Sequence, residues 1–411
     1  MIVRFFIYFA FFGMSKTFAY QPPILNKTYM SIYLDSAAST SLDPVVKEVM
    51  IEVMDSVYGN PSSTHTHGRA SKAMLESARK QIAKAINALP SEIIFTSGGT
   101  ESDNIAIKGL VKAYGLKRII TSKLEHHAVL HITEHLSKDL DLELIFLDCD
   151  KEGNLDLSQL ENLLEEKGEE TLVTLMHANN EIGNILDIKK VGLLCKNSGA
   201  YFHSDTVQSI GHFPVDVKDL HVHSMAGAAH KFHGPKGSGF LYVKKGTQMP
   251  ALIEGGGQER EVRSGTENVW GIVGLAKALD IATEQMDSHT AHIKEVKQYM
   301  KEQLIEHIDD VQFNGMSADL ENSLYTVLNV SFPPSEKNSM LLFALDLQKI
   351  SVSGGSACSS GASQGSHVIA GIDGDSSRTS VRFSFSKENK KDEIDITIGK
   401  LKEILGLNVP V

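Results

Sequence analysis

From residue 92 to residue 204 short apolar runs alternate with stretches of helical spacing, and that alternation limits the folds open to the chain. Residues 92–96, 118–122, 142–147, 171–176 and 200–204 read as strands. Runs this short, rich in Ile, Leu, Val and Phe, suit a buried sheet. Residues 101–114, 127–137, 157–167 and 188–197 read as helices. Strands separated by a helix pair in parallel, with helices on both faces. The sequence therefore predicts an α/β domain with a mainly parallel sheet.

The flanks read differently. Residues 33–40 (YLDSAAST) form a short strand running into small residues. Asp43-Pro44 is a helix start, Asp as cap and Pro in the first turn, and the helix extends to about residue 57. Residues 59–68 are a polar loop and 70–88 a long helix. A helical stretch over 269–308 leads to a second module, with strands at 325–332 and 380–385 and helices at 339–347 and 391–405. A chain of 411 residues suits one large and one small domain. The expected boundaries are 45–285 for the large domain, and 30–44 with 286–411 for the small one.

Several strands end in residues that carry chemistry. The strand at 93–96 runs into Ser97-Gly98-Gly99-Thr100-Glu101, a glycine-rich helix start that suits a phosphate. A helix start with no ligand reads the same way. Asp205 closes the strand at 201–204, where a carboxylate points into the ligand crevice of an α/β sheet or simply caps a helix. His126 follows the strand at 118–122, and Asn180 another strand end. The stretch from Ser224 to Val243 sets Lys231 on a turn broken by Gly-Pro and Gly-x-Gly. Held near the interior, such a lysine loses solvation and becomes a usable amine nucleophile, a Schiff-base lysine for pyridoxal phosphate. A surface lysine in a glycine-rich hairpin is the bland alternative. Four strand ends offering a cradle, His, Asn and Asp, followed by the lysine, favour a site.

The net charge of −11 argues against nucleic acid as a partner. Cys149, Cys195 and Cys358 make no disulfide framework and no CxxC pair, which fits a reducing compartment. Residues 1–29 have the outline of a secretory signal: a basic start, an apolar run over 5–14 and small residues near Ala19. They read equally as an upstream extension ahead of Met30. The expected location is cytoplasmic, with export left open, and no membrane partner is expected.

The ordered motifs YLDSAAST, NPSSTHTHG, FTSGGTESDN, EHHAVL, MHANNEIG, Asp205-Thr206-Val207-Gln208, HKFHGPKG, RSGTEN and SGGSACSSG resemble the cysteine desulfurases of the NifS/IscS type. These are class V aminotransferase-like enzymes that use pyridoxal 5'-phosphate. The match runs from Tyr33 to about Ser386. It implies a fold-type I transferase: a large domain with a mainly parallel seven-stranded sheet and a smaller α+β C-terminal domain. It implies Lys231 as the cofactor lysine and His126 stacked on the ring. Asp205 would meet the pyridine nitrogen, and Gln208 and Asn180 the phenolic oxygen side. Gly99, Thr100 and His230 would hold the phosphate. Thr266 would reach the phosphate of a neighbouring subunit in a homodimer. Arg382 would take the substrate carboxylate, with Asn180 beside it. One departure stands out, because Ala228 and Ala229 occupy positions where the family usually has Ser and Gly.

Cys358 lies in Ser353-Gly354-Gly355-Ser356-Ala357-Cys358-Ser359-Ser360-Gly361. Almost no apolar residue flanks it, so a buried structural thiol fits poorly. Cys149 and Cys195 sit in apolar segments and read as structural. The resemblance implies that L-cysteine gives up its sulfur to Cys358 as a persulfide and leaves as alanine. The sulfur then passes to an acceptor protein, an iron–sulfur scaffold or a relay. A selenocysteine lyase, another class V enzyme or a non-catalytic scaffold protein of the same fold are the alternatives. No metal site is expected.

Overall fold

The structure is a computed structural model that describes residues 31–335, 340–354 and 365–407. Cys358 lies outside the described residues. A seven-stranded sheet runs in the order Ile93–Thr96, Gly239–Val243, Ser224–Ala228, Tyr201–Asp205, Thr171–Thr174, Arg118–Ser122, Glu143–Leu147. Gly239–Val243 is antiparallel to both neighbours, and the other pairings are parallel. The expected α/β class and mainly parallel sheet are found.

Helices cover both faces because successive strand residues point to opposite sides. Phe95, Ile120 and Val173 join a core with Val46, Leu75, Ile82, Val191 and Leu275. Their sequence neighbours Ile119 and Leu172 join a second core with Leu110, Val111, Val129 and Leu136. A separate core forms around the antiparallel sheet Thr379–Ser384, Val327–Phe332, Gln312–Phe313. Helices Met286–His307 and Lys391–Leu405 pack there through Met300, Leu304, Ile394 and Leu401. Among the described residues no helix is long and apolar enough to cross a membrane.

Three elements differ from the sequence reading. The second long helix begins at Thr66, inside the stretch taken as loop, because the His65 ring nitrogen accepts from the Gly68 amide at 3.2 Å and caps it. The helical stretch over 269–308 is two helices, Val269–Glu284 and Met286–His307, meeting at Gln285. Ser224–Ala228, read as part of the turn, is a fully buried strand. Its small residues are dictated by packing: a Cβ on Gly227 would lie 2.4 Å from the Phe240 ring.

Candidate active site

The strands Ile93–Thr96, Arg118–Ser122, Thr171–Thr174, Tyr201–Asp205 and Ser224–Ala228 run in one direction, so their C-terminal ends share one edge of the sheet. Ligands of such sheets bind outside that edge. A cavity of about 190 Å³ lies there. Gly99, Thr100, His126, Asn180, Asp205, Gln208, His230, Lys231 and Arg382 all line it, with Ala228. The sequence reading had named each of these. Thr266 is exposed and is not part of the lining.

The helix Gly99–Tyr114 starts without a side-chain cap, from Gly98 at φ 152°. That backbone suits glycine alone, and it leaves the first amides of the helix for an anionic ligand. Gly99 is held against Val207, where a Cβ would come within 2.6 Å of the side chain. Glu101 in the first turn pairs with Arg263 at 2.8 Å. Arg263 follows a run of three left-handed residues, Glu259, Arg260 and Glu261, at φ 42°, 58° and 65°. Such backbone is costly outside glycine. Glu259 holds it in place by a buried pair with Arg79 at 2.8 Å and by accepting from the Phe95 amide at 2.7 Å.

Lys231 follows the strand Ser224–Ala228, the lysine strand, on the turn Ala229–Lys231. Its Nζ donates to the Ala37 carbonyl at 2.5 Å and to Ala38 at 3.1 Å. Gln208 Nε2 donates to the same Ala37 carbonyl at 3.0 Å. Asp205 is buried, and its Oδ1 accepts from the Val207 amide at 2.9 Å. The carboxylate therefore serves as a local turn acceptor while also lining the cavity.

His126 likewise combines a backbone role with its place in the cavity lining. Its Nδ1 accepts from the Ala128 amide at 3.1 Å and caps the helix His127–Leu140. A backbone amide is an obligate donor, so Nδ1 carries no proton and the neutral ring keeps its proton on Nε2. Burial lowers the pKa of His126; Asp205 opposes this and Lys231 adds to it. Burial, then Lys231, hold His230 down at about 4. Both rings are neutral at pH 7 and can donate without adding charge.

Arg382 is almost fully buried. It donates to the Asn180 carbonyl at 2.9 Å and to Asp35 at 2.8 Å. Its Nε has no hydrogen-bond partner among the described residues. A buried guanidinium with a donor left unsatisfied in this way fits a carboxylate ligand. The described residues on either side of the stretch 355–364 meet residues in or next to the cavity lining. Ser353 and Arg382 exchange backbone hydrogen bonds at 3.3 and 2.7 Å. Ser366 donates to Glu181 at 2.5 Å, and His367 Nε2 contacts the Glu125 carbonyl at 2.9 Å.

Sequence reasoning missed Asp35 and Asp103. Asp103 lines the cavity one helical turn after Gly99, and that spacing inside the glycine-rich motif was the available signal. Asp35 meets Arg382 across 347 positions, which no local pattern encodes. The structural reading of the other two cysteines fits their surroundings. Cys195 is fully buried and its thiol is pushed up to about 12 by burial. Cys149 is half-buried, with its thiol also raised by burial.

Comparison with known proteins agrees with this geometry. Residues 32–397 match the family model described as aminotransferase class-V. The chain is 43% identical over 378 residues to the cysteine desulfurase IscS of Dictyoglomus turgidum, covering 91% of this chain and 94% of the relative. It is 42% identical over 369 residues to the putative cysteine desulfurase IscS 1 of Bacillus subtilis, covering 88% and 95%. A solved NifS-like protein superimposes with a TM-score of 0.84 at 36% identity, over 92% of this chain and 100% of that one. A structure titled SspA in complex with cysteine superimposes with a TM-score of 0.76 at 30% identity, over 88% and 100%. The chain belongs to the class V aminotransferase family and, within it, to the cysteine desulfurases.

Proposed function

We propose that this chain removes the sulfur of L-cysteine with the help of pyridoxal 5'-phosphate, releasing L-alanine and leaving a persulfide on Cys358. The observation that carries the reading is one cavity lined by Lys231, His126, Asp205, an uncapped helix start and Arg382 with its unsatisfied Nε. These groups fit the cofactor. The helix start, Thr100 and His230 would hold its phosphate, His126 its ring face and Asp205 its ring nitrogen. When bound, the cofactor supplies an electron sink for the substrate's Cα.

The chain's own groups do the rest. Arg382 orients the substrate by its carboxylate, with Asp35 keeping the guanidinium in place. Lys231 moves the Cα proton, held in position by the Ala37 and Ala38 carbonyls. Neutral His126 offers its Nε2 proton. The thiolate of Cys358 bonds to the substrate sulfur as the C–S bond breaks. That bond's electron pair stays with the carbon fragment, which takes up protons to become alanine. A thiol acceptor then reduces the persulfide and frees the sulfur as sulfide.

The finer features are proposals of the same kind. Residues 45–285 would be the cofactor-bearing domain, and 30–44 with 286–411 the smaller one. Thr266 would complete a second subunit's phosphate site in a homodimer. Apolar residues exposed at Ile51, Met54, Tyr58 and Trp270 favour such a partner surface. The sulfur acceptor would be a protein, and the location cytoplasmic.

The test is the purified protein with pyridoxal phosphate, L-cysteine and dithiothreitol. Alanine and sulfide should accumulate in equal amounts; absence of alanine defeats the reading. Ala228 gives a second check. It is fully buried in the cavity wall, where a serine would offer a hydroxyl. A neutral hydrogen bond is worth about 0.5–1.5 kcal/mol net. Ala228→Ser should therefore tighten cofactor binding several-fold, as measured by equilibrium dialysis. An unchanged dissociation constant would show that His230 and the helix start already satisfy that oxygen.

A further inference from the structure

A hydrogen-bonded chain lies inside the sheet beneath the cavity. Asp103 Oδ1 is 3.2 Å from His203 Nε2, and His203 Nδ1 is 2.9 Å from Ser224 Oγ. All three residues are fully buried. Asp103 belongs to the helix that starts with Gly99, His203 to the strand that ends with Asp205, and Ser224 to the strand that leads to Lys231. His203 and Asp205 are alternate residues and share a face of their strand. The chain thus joins the three elements that carry the helix-start cradle, the strand-end carboxylate and the lysine.

The protonation of this chain follows from its surroundings. Asp103, Glu125 and Asp205 are three buried carboxyl groups near one cavity, and Arg382 is already paired with Asp35. Three anions there would repel with little solvent to screen them. Burial, then the charges of Asp205 and Glu125, push Asp103 well above the usual carboxylate range. Burial, with Asp205 adding to it, does the same to Glu125. His203 is held down at about 3 by burial, so its ring is neutral with one N–H. When that proton sits on Nδ1, facing Ser224, Nε2 is an acceptor and Asp103 has to be the donor.

We propose that Asp103 is a positioning residue of this site: it donates to His203 Nε2 and locks the ring between helix and strands, without adding a negative charge beside Asp205. The assignment rests on the function proposed above, but its first test needs neither cofactor nor turnover.

That test is 15N NMR of the full chain, labelled at histidine and free of cofactor, with His203→Gln to assign the signal. The expected result is a neutral His203 with its proton on Nδ1 and Nε2 accepting. A proton on Nε2, facing an ionised Asp103, overturns the proposal whether or not the enzyme reading stands. The second test uses the pyridoxal phosphate-loaded protein and the pH midpoint of its visible absorbance. Asp103→Asn, neutral and still a donor through its amide, should leave the midpoint in place. A fall of about one unit, as expected on losing a nearby anion, would show Asp103 to be charged and sink the idea. Asp103→Leu, which cannot donate, should lower kcat roughly tenfold to a hundredfold through misplacement, with a smaller change in KM. An unchanged kcat in this variant also overturns the proposal. Should the leucine variant not fold, the tautomer and the asparagine midpoint still decide.

Discussion

Lys231→Ala is expected to abolish alanine and sulfide production while the fold survives. The lysine has two duties in the proposed reaction, attachment of the cofactor and movement of the Cα proton. Loss of a positioned general acid–base alone costs about 10²–10⁴ in rate, and loss of the attachment adds to it. The fold should persist because Lys231 is half-buried at the cavity edge and its Nζ bonds to carbonyls of the 37–38 turn. Two measurements separate the duties. Borohydride treatment of the wild type should fix pyridoxal phosphate covalently to the Lys231 peptide, and the variant should show no such adduct. Adding a small amine to the variant should restore part of the proton transfer. Turnover at the wild-type rate, or an adduct on a different lysine such as Lys236, would remove Lys231 from the mechanism.

The sheet and most of the cavity were legible because the information for them is local. Strands such as 118–122 announce themselves by apolar runs, and the residues after each strand's C-terminal end inherit their place from the parallel topology. His126, Asn180, Asp205 and the Gly99 cradle all follow from that one rule. The lysine strand was not legible. Its residues, Ser-Met-Ala-Gly-Ala, lack the β-branched signature because Phe240 leaves no room at Gly227. Asp103 was hidden for another reason. On the page of sequence it is one more polar residue of a helix. Only the pairing with His203, 100 positions away, shows it turned inward. The Arg382–Asp35 pair and the anchoring of Ser366 on Glu181 are likewise long-range facts of packing. The helix at Thr66 began early because a histidine, outside the usual set of caps, did the capping.

Cys358→Ala should separate binding from sulfur transfer. Nothing in the proposed binding steps uses this thiol: the cofactor rests on Lys231, Asp205 and the helix start, and the substrate carboxylate on Arg382. The variant should therefore bind pyridoxal phosphate with the wild-type dissociation constant and show the wild-type spectral change on adding L-cysteine. Alanine formation should fall by several orders of magnitude, as it does when an activated nucleophile is lost. Neither other cysteine can substitute. Cys195 is enclosed in the core with a thiol held protonated up to about 12, and Cys149 is engaged at 3.4 Å with the Gly371 carbonyl. Cys358 stands four residues beyond Gly354, at most about 14 Å of extended chain. Ser353, next to Gly354, is bonded to the backbone of Arg382, the residue proposed to hold the substrate. In the wild type, mass spectrometry after cysteine addition should find one extra sulfur on the Cys358 peptide, removed by dithiothreitol. If Cys358→Ala makes alanine at the wild-type rate, no persulfide on this residue is needed. The enzyme would then release its sulfur directly, as a lyase does.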